Sequence, residues 1–398
     1  MKIKPLEINL DVVGWDFSGG KSKNVWGQVP TSNLPIDEIN KAIAQNKKSC
    51  IWTCYDDAIY VKDKDGNLLP FDLKNLPKTI SATFKPTYDR FSAITENLGM
   101  KIAVALGLPT SYNYIVKFEK DKHPKIMNHI SNGFNESSIQ PYGIVSIDFL
   151  KPIETIEENG ETFIVGENLL TFADVLRRSF KLSSYSKNKL VEQWISSVDV
   201  YIRDTYADLS EDLLNKQIKR INSRIARSSL LREFLGDCDF TELNSGIVSL
   251  NYAPNHDYGE SFNSLIKTKF FEPPDEKSLK ENLKWDPTYL EKKNKIKEET
   301  LVETLAQRYA QDTSEQNLQF IIKNYPEEAH EVLSGLVSAI KNDTFTTLVD
   351  DYTINEDGEK PLLTQEEAKM FKIYLNTRAG WMQNQLCKVA TKEDAREF

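Results

Sequence analysis

The spacing of hydrophobic and polar residues changes once along the chain, near residue 150. The first part contains short apolar runs separated by turn residues, which is typical of strands. After about residue 165, apolar residues recur every three or four positions, as they do on one face of a helix. This order predicts an α+β fold of two lobes, with a strand-rich N-terminal lobe over residues 1–150 and a mostly helical C-terminal lobe over residues 151–398.

Several single elements stand out within this pattern. "TISATFKP" (79–86) predicts a strand that ends at a proline. "RFSAITENLGMKIAVALG" (90–107) has helical spacing and a glycine at its end. "SYNYIVKFE" (111–119) alternates as a half-buried strand does, and "YGIVSIDFL" (142–150) is almost wholly apolar, which predicts a strand covered on both faces.

The composition narrows the class of protein. At 398 residues, with 40% hydrophobic and 27% charged residues, the chain has the profile of a globular protein large enough for two domains. Its formal net charge of −9 disfavours a general nucleic-acid binder. No signal peptide and no membrane span is expected, and the four scattered cysteines favour a reducing, cytoplasmic location. Secretion by a route without a cleavable signal is the alternative.

The sequence gives little support for two common kinds of site, a structural zinc site and an α/β-hydrolase active site. The four histidines show no paired metal-ligand spacing, and Cys50-x3-Cys54 has no partner pair, so a structural zinc site is not expected. The chain contains no G-x-S-x-G motif, so nothing points to an α/β-hydrolase.

The first candidate phosphate site is "GWDFSGGKS", a polar segment near the N-terminus. A P-loop requires G-x4-G-K-[ST], and Gly20-Lys21-Ser22 fits the end of that motif. The preceding glycine, Gly14, lies one residue too far away, and the segment that follows contains prolines rather than a helical pattern. A plain polar turn, a glycine-rich flap over phosphates and a true P-loop therefore all stay open.

Lys85 is the second candidate, because it ends the predicted strand directly before the helix that carries Glu96. A lysine at the end of a strand usually faces solvent. A strand lysine held by a helix glutamate is, however, the device by which a kinase lobe directs a cation at the α- and β-phosphates. The sequence by itself is compatible with both interpretations.

The third group of candidates lies in "LGDCDFTELNSGIVSLNYAPNHDYGES" (235–261), a non-helical stretch within the helical half. Asp239 and Asn244 precede a predicted hairpin, and Asp257 follows it. Oxygen donors on the two sides of a hairpin can converge on Mg²⁺, and a carboxylate can accept the proton of an acceptor hydroxyl. Two polar turns that cap a hairpin are the other interpretation.

Taken in order, these segments resemble the HipA-like serine/threonine kinases, whose bacterial members include toxins of toxin–antitoxin systems. "TFKP" and "TENLGMKIAVALGLPTSYNYIVKF" resemble the family's lysine strand, its glutamate helix and the next strand, and "YGIVSIDFLKP" resembles its hinge. "FLGDCDFTELNSGIVSL" resembles the catalytic loop G-N-x-D-R-H-x-x-N, and "YAPNHDYGESF" resembles the metal-binding AP-x-x-D segment. The resemblance covers roughly residues 80–265.

The resemblance implies ATP and Mg²⁺ as cofactors and a role for each matched residue. Lys85, tied to Glu96, would bind the α- and β-phosphates. Asp239 would be the catalytic base, and Asn244 and Asp257 would bind Mg²⁺. The positions implied for the adenine-binding hinge and for a glycine-rich loop of the S-G-x-x-x-K kind are Ile147, Phe149, Ser18, Gly19, Gly20 and Lys21.

The sequence departs from the family pattern in the catalytic loop. The Arg-His that follows the catalytic Asp is replaced by Phe240-Thr241, and the Asn two residues before it is Asp237. These changes remove groups that position the loop, and they add negative charge. They motivate the alternative of a degenerate, pseudokinase-like protein that binds a nucleotide or a partner.

The predicted function is therefore an ATP/Mg²⁺-dependent protein kinase that phosphorylates a Ser or Thr hydroxyl. A protein substrate and a small antitoxin-like partner are expected, without direct contact to nucleic acid or to a membrane. The basic helix before the catalytic loop has the pattern of an ordinary amphipathic helix. If the protein is a kinase, Arg227 or Arg232 on its basic face is a candidate to contact the phosphates or a phosphorylated residue.

Overall fold

The structure is a computed structural model. It describes residues 5–8, 10–15, 25–34, 60–62, 68–70, 78–87, 89–130, 139–147, 152–158, 161–166, 169–180, 189–237, 239, 244–248, 251–253, 255–259, 261–266, 298–307, 315–353 and 361–394.

The strands of the described residues lie mostly in the first part of the chain. They are β1 (Leu6–Glu7), β2 (Asp11–Trp15), β3 (Val25–Pro30), β4 (Tyr60–Lys62), β5 (Leu68–Pro70), β6 (Thr79–Pro86), β7 (Asn113–Lys117), β8 (Tyr142–Ile147), β9 (Pro152–Glu158), β10 (Glu161–Gly166), β11 (Leu170–Thr171), β12 (Gly246–Val248) and β13 (Asn251–Tyr252).

Eight of these strands form the main sheet, in the order β1-β7-β8-β6-β3-β2-β10-β9. Neighbours are antiparallel except for β1 with β7 and β2 with β10. β4 and β5 pair with each other, and β11, β12 and β13 form a small antiparallel sheet. The sheet therefore places β6 and β8 in its interior, where a strand has neighbours on both edges.

Most helices of the described residues lie after the strands of the main sheet, and two lie between those strands. They are α1 (Ser92–Ala105), α2 (Pro124–Ile130), α3 (Phe172–Phe180), α4 (Leu190–Thr205), α5 (Glu211–Leu235), α6 (Asn263–Leu265), α7 (Glu298–Ala306), α8 (Glu315–Asn324), α9 (Pro326–Lys341), α10 (Thr344–Asp350) and α11 (Gln365–Asp394). Helix α1 packs on β7 and β8, and α5 packs against α4, α9 and α11. The mixed α+β fold with a strand-rich first part and a mostly helical second part is thus confirmed.

The predicted boundaries hold closely where they can be compared. The strand 79–86 is found as predicted, and the helix predicted at 90–107 extends from Ser92 to Ala105. Strand β8 occupies the first six positions of the stretch 142–150. The main sheet also includes β9 and β10, which lie after residue 150. The lobe boundary at residue 150 stays a prediction.

One hydrophobic core joins the sheet to the helices. Apolar side chains of β6 alternate inward, and Ile80, Ala82 and Phe84 are buried. Strand β8 is buried at Ile144 and Val145, as expected for an apolar strand in the centre of a sheet. Within the described residues, no helix is both long enough and hydrophobic enough to cross a membrane.

Candidate active site

Lys85 lies on β6, where it pairs in register with Ile144 of β8. Its ammonium nitrogen is 3.3 Å from a carboxylate oxygen of Glu96 and in direct contact with the carboxylate of Asp257. The side chain of Lys85 is 23% exposed and that of Glu96 is 5% exposed, so the charges are largely removed from water. We call Lys85, Glu96 and Asp257 the lysine cluster.

Glu96 is positioned by the start of α1. A carboxylate oxygen of Asp89 accepts hydrogen bonds from the backbone N–H groups of Phe91, over 2.8 Å, and Ser92, over 2.9 Å. An acid that accepts from the free N–H groups of a first turn stabilises the helix start. With that start fixed, Glu96 falls on the second turn and faces the sheet.

Neighbouring polar contacts hold α1 from two sides. The side-chain amide of Asn97 donates to the backbone carbonyl and to the side-chain oxygen of Asn113 on β7, over 3.0 Å each. The hydroxyl of Tyr352, which follows α10, donates to the Asn97 side-chain oxygen over 2.7 Å. Because these groups are buried, breaking one bond would leave an unsatisfied polar atom. The helix that carries Glu96 is therefore fixed to both the sheet and the helical part.

Asp257 is held by the residues on either side of it. Its φ of 58° lies in the left-handed region, which non-glycine residues rarely adopt. Two positions earlier, Asn255 donates its backbone N–H to Pro109 over 3.0 Å. One position later, the buried hydroxyl of Tyr258 lies 2.8 Å from that of Thr110. The hydrogen bonds of Asn255 and Tyr258 fix the turn between these two residues, and this turn directs the Asp257 carboxylate towards Lys85.

Helix α1 approaches this segment closely at a glycine. A Cβ atom on Gly99 would lie 2.7 Å from side-chain atoms of Tyr258, closer than real Cβ contacts. The hydroxyl of Thr95 donates to the backbone carbonyl of Gly259 over 3.0 Å. A Cβ on Gly259 would in turn lie 3.3 Å from a carboxylate oxygen of Glu96. Small residues thus let the helix and the Asp257 segment meet.

The three charges of the lysine cluster affect each other's ionisation. Burial favours the neutral amine, but the carboxylates of Asp257 and Glu96 outweigh burial and raise the pKa of Lys85. Burial raises the pKa of Glu96, and the lysine only partly opposes this. Burial also acts to raise the pKa of Asp257, but there the Lys85 ammonium group prevails and lowers it to about 2. At neutral pH, a protonated Lys85 therefore faces an ionised Asp257.

Asp239 and Asn244 lie just after α5. Gly236 caps the C-terminal end of this helix, and its φ of 63° turns the chain. The side-chain amide of Asn244 donates to the Asp239 carboxylate over 2.7 Å and to its backbone carbonyl over 3.0 Å. The predicted hairpin follows as β12 and β13, with Ile247 opposite Tyr252. Since the amide nitrogen of Asn244 is used in this contact, its oxygen is the atom available to bind a cation.

Arg232 and Asp237 connect the Asp239 loop to the Asp257 segment. Arg232 forms a buried ion pair with Asp237, and it donates to the backbone carbonyl of Asp257 over 2.8 Å and to that of His256. The other carboxylate oxygen of Asp237 accepts the backbone N–H of Asp239 over 2.9 Å. Sequence reasoning missed this pair, although an acid in place of the family's Asn, five residues after an arginine, was a usable signal.

Of the other predicted site residues, the structure describes three and leaves five undescribed. Ile147 is buried at the end of β8 and donates its backbone N–H to Tyr112 over 2.9 Å. Arg227 pairs with Glu331 over 2.6 Å, and Arg232 is buried at 2% exposure, so neither is placed as an open phosphate contact. Five predicted positions lie outside the described residues, namely Phe149, Ser18, Gly19, Gly20 and Lys21.

The structure brings Lys85, Glu96 and Asp257 into contact, and it links Asp239 and Asn244 to them through Arg232 and Asp237. Their roles in binding ATP and Mg²⁺ stay predictions. Within the described residues, no group of three or more His, Cys, Asp or Glu side chains has a metal-holding arrangement. The predicted Mg²⁺ ligands are a different donor set, one amide and one carboxylate.

Comparisons with known proteins give structural likenesses only. No protein-family model matches the sequence, and no curated protein matches it significantly. A crystal structure of the Helicobacter pylori proinflammatory kinase CtkA is similar, with a TM-score of 0.41 and 10% identity, covering 77% of this chain and 88% of that one. A Shewanella oneidensis MR-1 toxin–antitoxin complex of HipA, HipB and operator DNA gives a TM-score of 0.35 and 13% identity, covering 92% of this chain and 74% of that one.

The chain is thus similar in structure to a bacterial kinase and to a HipA system. At these identities and TM-scores, neither likeness assigns an activity to this chain.

Proposed function

We propose that this protein is a HipA-like kinase that binds ATP with Mg²⁺ and transfers the γ-phosphate to a Ser or Thr hydroxyl of a protein. The observation that supports this most directly is the lysine cluster. The ammonium group of Lys85, on the sheet, contacts both Glu96 from a helix and Asp257 from a distant segment. A lone solvent-facing lysine would not need two carboxylates from two other elements.

Lys85 is suited to bind phosphate oxygens because its charge is held in place before any ligand arrives. Glu96 is nearly buried and touches the ammonium group, so it restrains the lysine without offering an exposed competitor for the nucleotide. Raising the pKa of Lys85 keeps the amine charged across the physiological range. A positioned cation in a partly dry site stabilises the charge of a transferring phosphoryl group.

Asp257 and Asn244 fit the donor chemistry of Mg²⁺. The cation prefers carboxylate and amide oxygens, and both side chains can offer one. Asp257 stays ionised, with its pKa lowered to about 2 by Lys85, and Asn244 is oriented by its bond to Asp239. When bound, Mg²⁺ would neutralise the charge of the phosphates. The protein's part would be to hold both donors at fixed positions.

Asp239 is the candidate base for the acceptor hydroxyl. Its carboxylate accepts from the Asn244 amide over 2.7 Å, which fixes its direction, and its backbone N–H is bound by Asp237. A carboxylate oriented in this way can accept the hydroxyl proton as the oxygen attacks the γ-phosphate.

The direct test is phosphate transfer from radiolabelled ATP, with Mg²⁺, to the protein itself or to an added protein substrate. Transfer by the native protein, lost in Asp239→Asn and in Asp257→Asn, is the expected result. Asp199→Asn is the matched control, because Asp199 is a half-exposed acid that pairs with Arg203 at 3.1 Å away from the site. Undiminished transfer in both site variants would rule out these assignments.

A nucleotide-binding protein without transfer activity is the second candidate. The observation that favours it is the altered catalytic loop, with Asp237 and Phe240-Thr241 in place of the family's residues. Binding of Mg-ATP by calorimetry, together with no transfer and no hydrolysis over hours, would establish it.

A small antitoxin-like protein is the proposed partner. In the Shewanella structure, HipA is accompanied by HipB and operator DNA. For this chain, the proposal is tested by co-expressing it with any small open reading frame encoded directly beside its gene. A stable complex on gel filtration supports the proposal, and separate elution contradicts it.

A further inference from the structure

Arg232 occupies an unusual place for an arginine. It lies in the last turn of α5, is 2% exposed and bonds with three acceptors from two separate segments. These acceptors are the Asp237 carboxylate and the backbone carbonyls of His256 and Asp257. Its guanidinium group also lies over the ring of Tyr258, 4.3 Å from the ring centroid.

The two carboxylate oxygens of Asp237 bind different groups. One oxygen pairs with Arg232, and the other accepts the backbone N–H of Asp239 over 2.9 Å. Its side chain is fully buried, so the negative charge needs a partner, and the arginine supplies it. The charge that Asp237 adds to the loop is therefore compensated within the protein.

The contacts form a continuous chain across the site. Arg232 fixes the carbonyl of Asp257, whose carboxylate meets Lys85. Through Asp237 it also fixes the backbone of Asp239, whose carboxylate accepts from Asn244. The same guanidinium group thus sets the position of the candidate base and of both candidate Mg²⁺ ligands.

We propose that Arg232 and Asp237 are positioning residues that hold the Asp239 loop and the Asp257 segment in fixed positions relative to each other. They would do so in place of the Arg-His of the family pattern, which this loop lacks. This inference rests on the proposed function. Neither residue is assigned a contact with a nucleotide or a metal. Their effect passes through the backbone of Asp257 and Asp239.

A second buried pair provides a matched control. Arg378 of α11 pairs with Glu233, the residue after Arg232, over 2.6 Å, and both side chains are buried. Arg378 also donates to the backbone carbonyls of Glu233, over 3.1 Å, and Ala306, over 3.2 Å. This pair joins α11 and α7 to the last turn of α5.

The experiment compares Arg232→Lys and Asp237→Asn with Arg378→Lys. First, nucleotide binding is titrated against Mg²⁺ concentration by calorimetry. Groups that orient metal ligands typically change metal affinity by about ten- to a hundredfold when altered. We expect the two site variants to need about ten- to a hundredfold more Mg²⁺ for half-maximal nucleotide binding, and Arg378→Lys to behave like the native protein. Equal Mg²⁺ requirements for Arg232→Lys and Arg378→Lys would overturn the proposal.

The second measurement needs no ligand. Amide hydrogen exchange is followed in the free proteins, by peptides that cover residues 237–244 and 255–262. We expect faster exchange in both peptides for Arg232→Lys and for Asp237→Asn, and no change there for Arg378→Lys. Faster exchange throughout α4, α5 and α9 instead would show a general packing role and overturn the positioning role.

The two measurements separate this inference from the proposed function. If the native protein binds no nucleotide with Mg²⁺, the proposed function fails, and the exchange pattern alone decides whether the pair positions the two loops. If the native protein binds Mg-nucleotide but the pair has no effect on its Mg²⁺ requirement, the function stands and the positioning role fails.

Discussion

Lys85 and Asp257 form an ion pair although 172 positions separate them along the chain. The pair joins a central strand of the main sheet to the segment that follows the β12–β13 hairpin. A small shift of either element would separate the charges, so the contact depends on how the strand-rich and helical parts of the protein meet.

Replacing Lys85 with methionine should weaken Mg-ATP binding by about ten- to a hundredfold. The reason is the loss of a charge-assisted bond to phosphate oxygens, which contributes about 1.5–3 kcal/mol. Isothermal titration calorimetry measures the change, and Lys341→Met, at an exposed lysine of α9, is the control. Loss of binding in Lys21→Ala but not in Lys85→Met would favour the P-loop hypothesis instead.

Replacing Asp239 with asparagine should lower the rate of phosphate transfer by about a hundredfold to ten-thousandfold, the usual contribution of a general base. Mg-ATP binding should change little, because an asparagine oxygen at this position can still accept from Asn244. Transfer rates and calorimetry on the same preparation separate the two effects. A parallel loss of binding would mean that Asp239 supports the loop rather than the chemistry.

Replacing Asp257 with asparagine should make Lys85 more reactive towards an amine-modifying reagent at about pH 9. Two carboxylates raise the pKa of Lys85 against the effect of burial, so removing one lets the pKa fall and increases the neutral, nucleophilic fraction. Mass spectrometry of the Lys85 peptide measures the modification, with the exposed Lys341 as an internal reference. Unchanged or lower modification of Lys85 would contradict this account of its charge.

Replacing Gly99 with alanine should destabilise the protein by about 1–3 kcal/mol, the usual cost of overpacking. In a helix interior this change normally stabilises by up to about 1 kcal/mol, but here the new Cβ would lie 2.7 Å from Tyr258. Gly380→Ala in α11 is the matched control, because a Cβ there has no atom within 4 Å. Urea unfolding of both variants should give free-energy changes of opposite sign.

The order and bounds of the central elements could be read from the sequence because periodicity is a local property. The strand at 79–86 was predicted to the residue, and the hairpin after Asn244 was found at β12 and β13. The helix predicted at 90–107 is shorter by two residues at each end, since Asp89 sets its start and Gly107 turns the chain after it.

The candidate site was only partly predictable. Lys85, Glu96 and Asp257 were named because each occupies a recognisable place in a strand, a helix and a turn. Arg232 was one of two candidates for a phosphate contact on the basic face of an amphipathic helix, and the structure buries it instead. The acid at position 237 could have suggested a partner for Arg232, but the sequence does not show that the loop folds back over the end of the helix.

The sequence by itself determined where the Lys85 strand, the helix after it and the hairpin after Asn244 form, because those features depend on neighbours within a few positions. Only the tertiary structure decided that Asp257 meets Lys85 and that Arg232 compensates Asp237. Such contacts depend on the packing of segments far apart in the chain, where close approaches such as that of Gly99 to Tyr258 fix distances to fractions of an ångström.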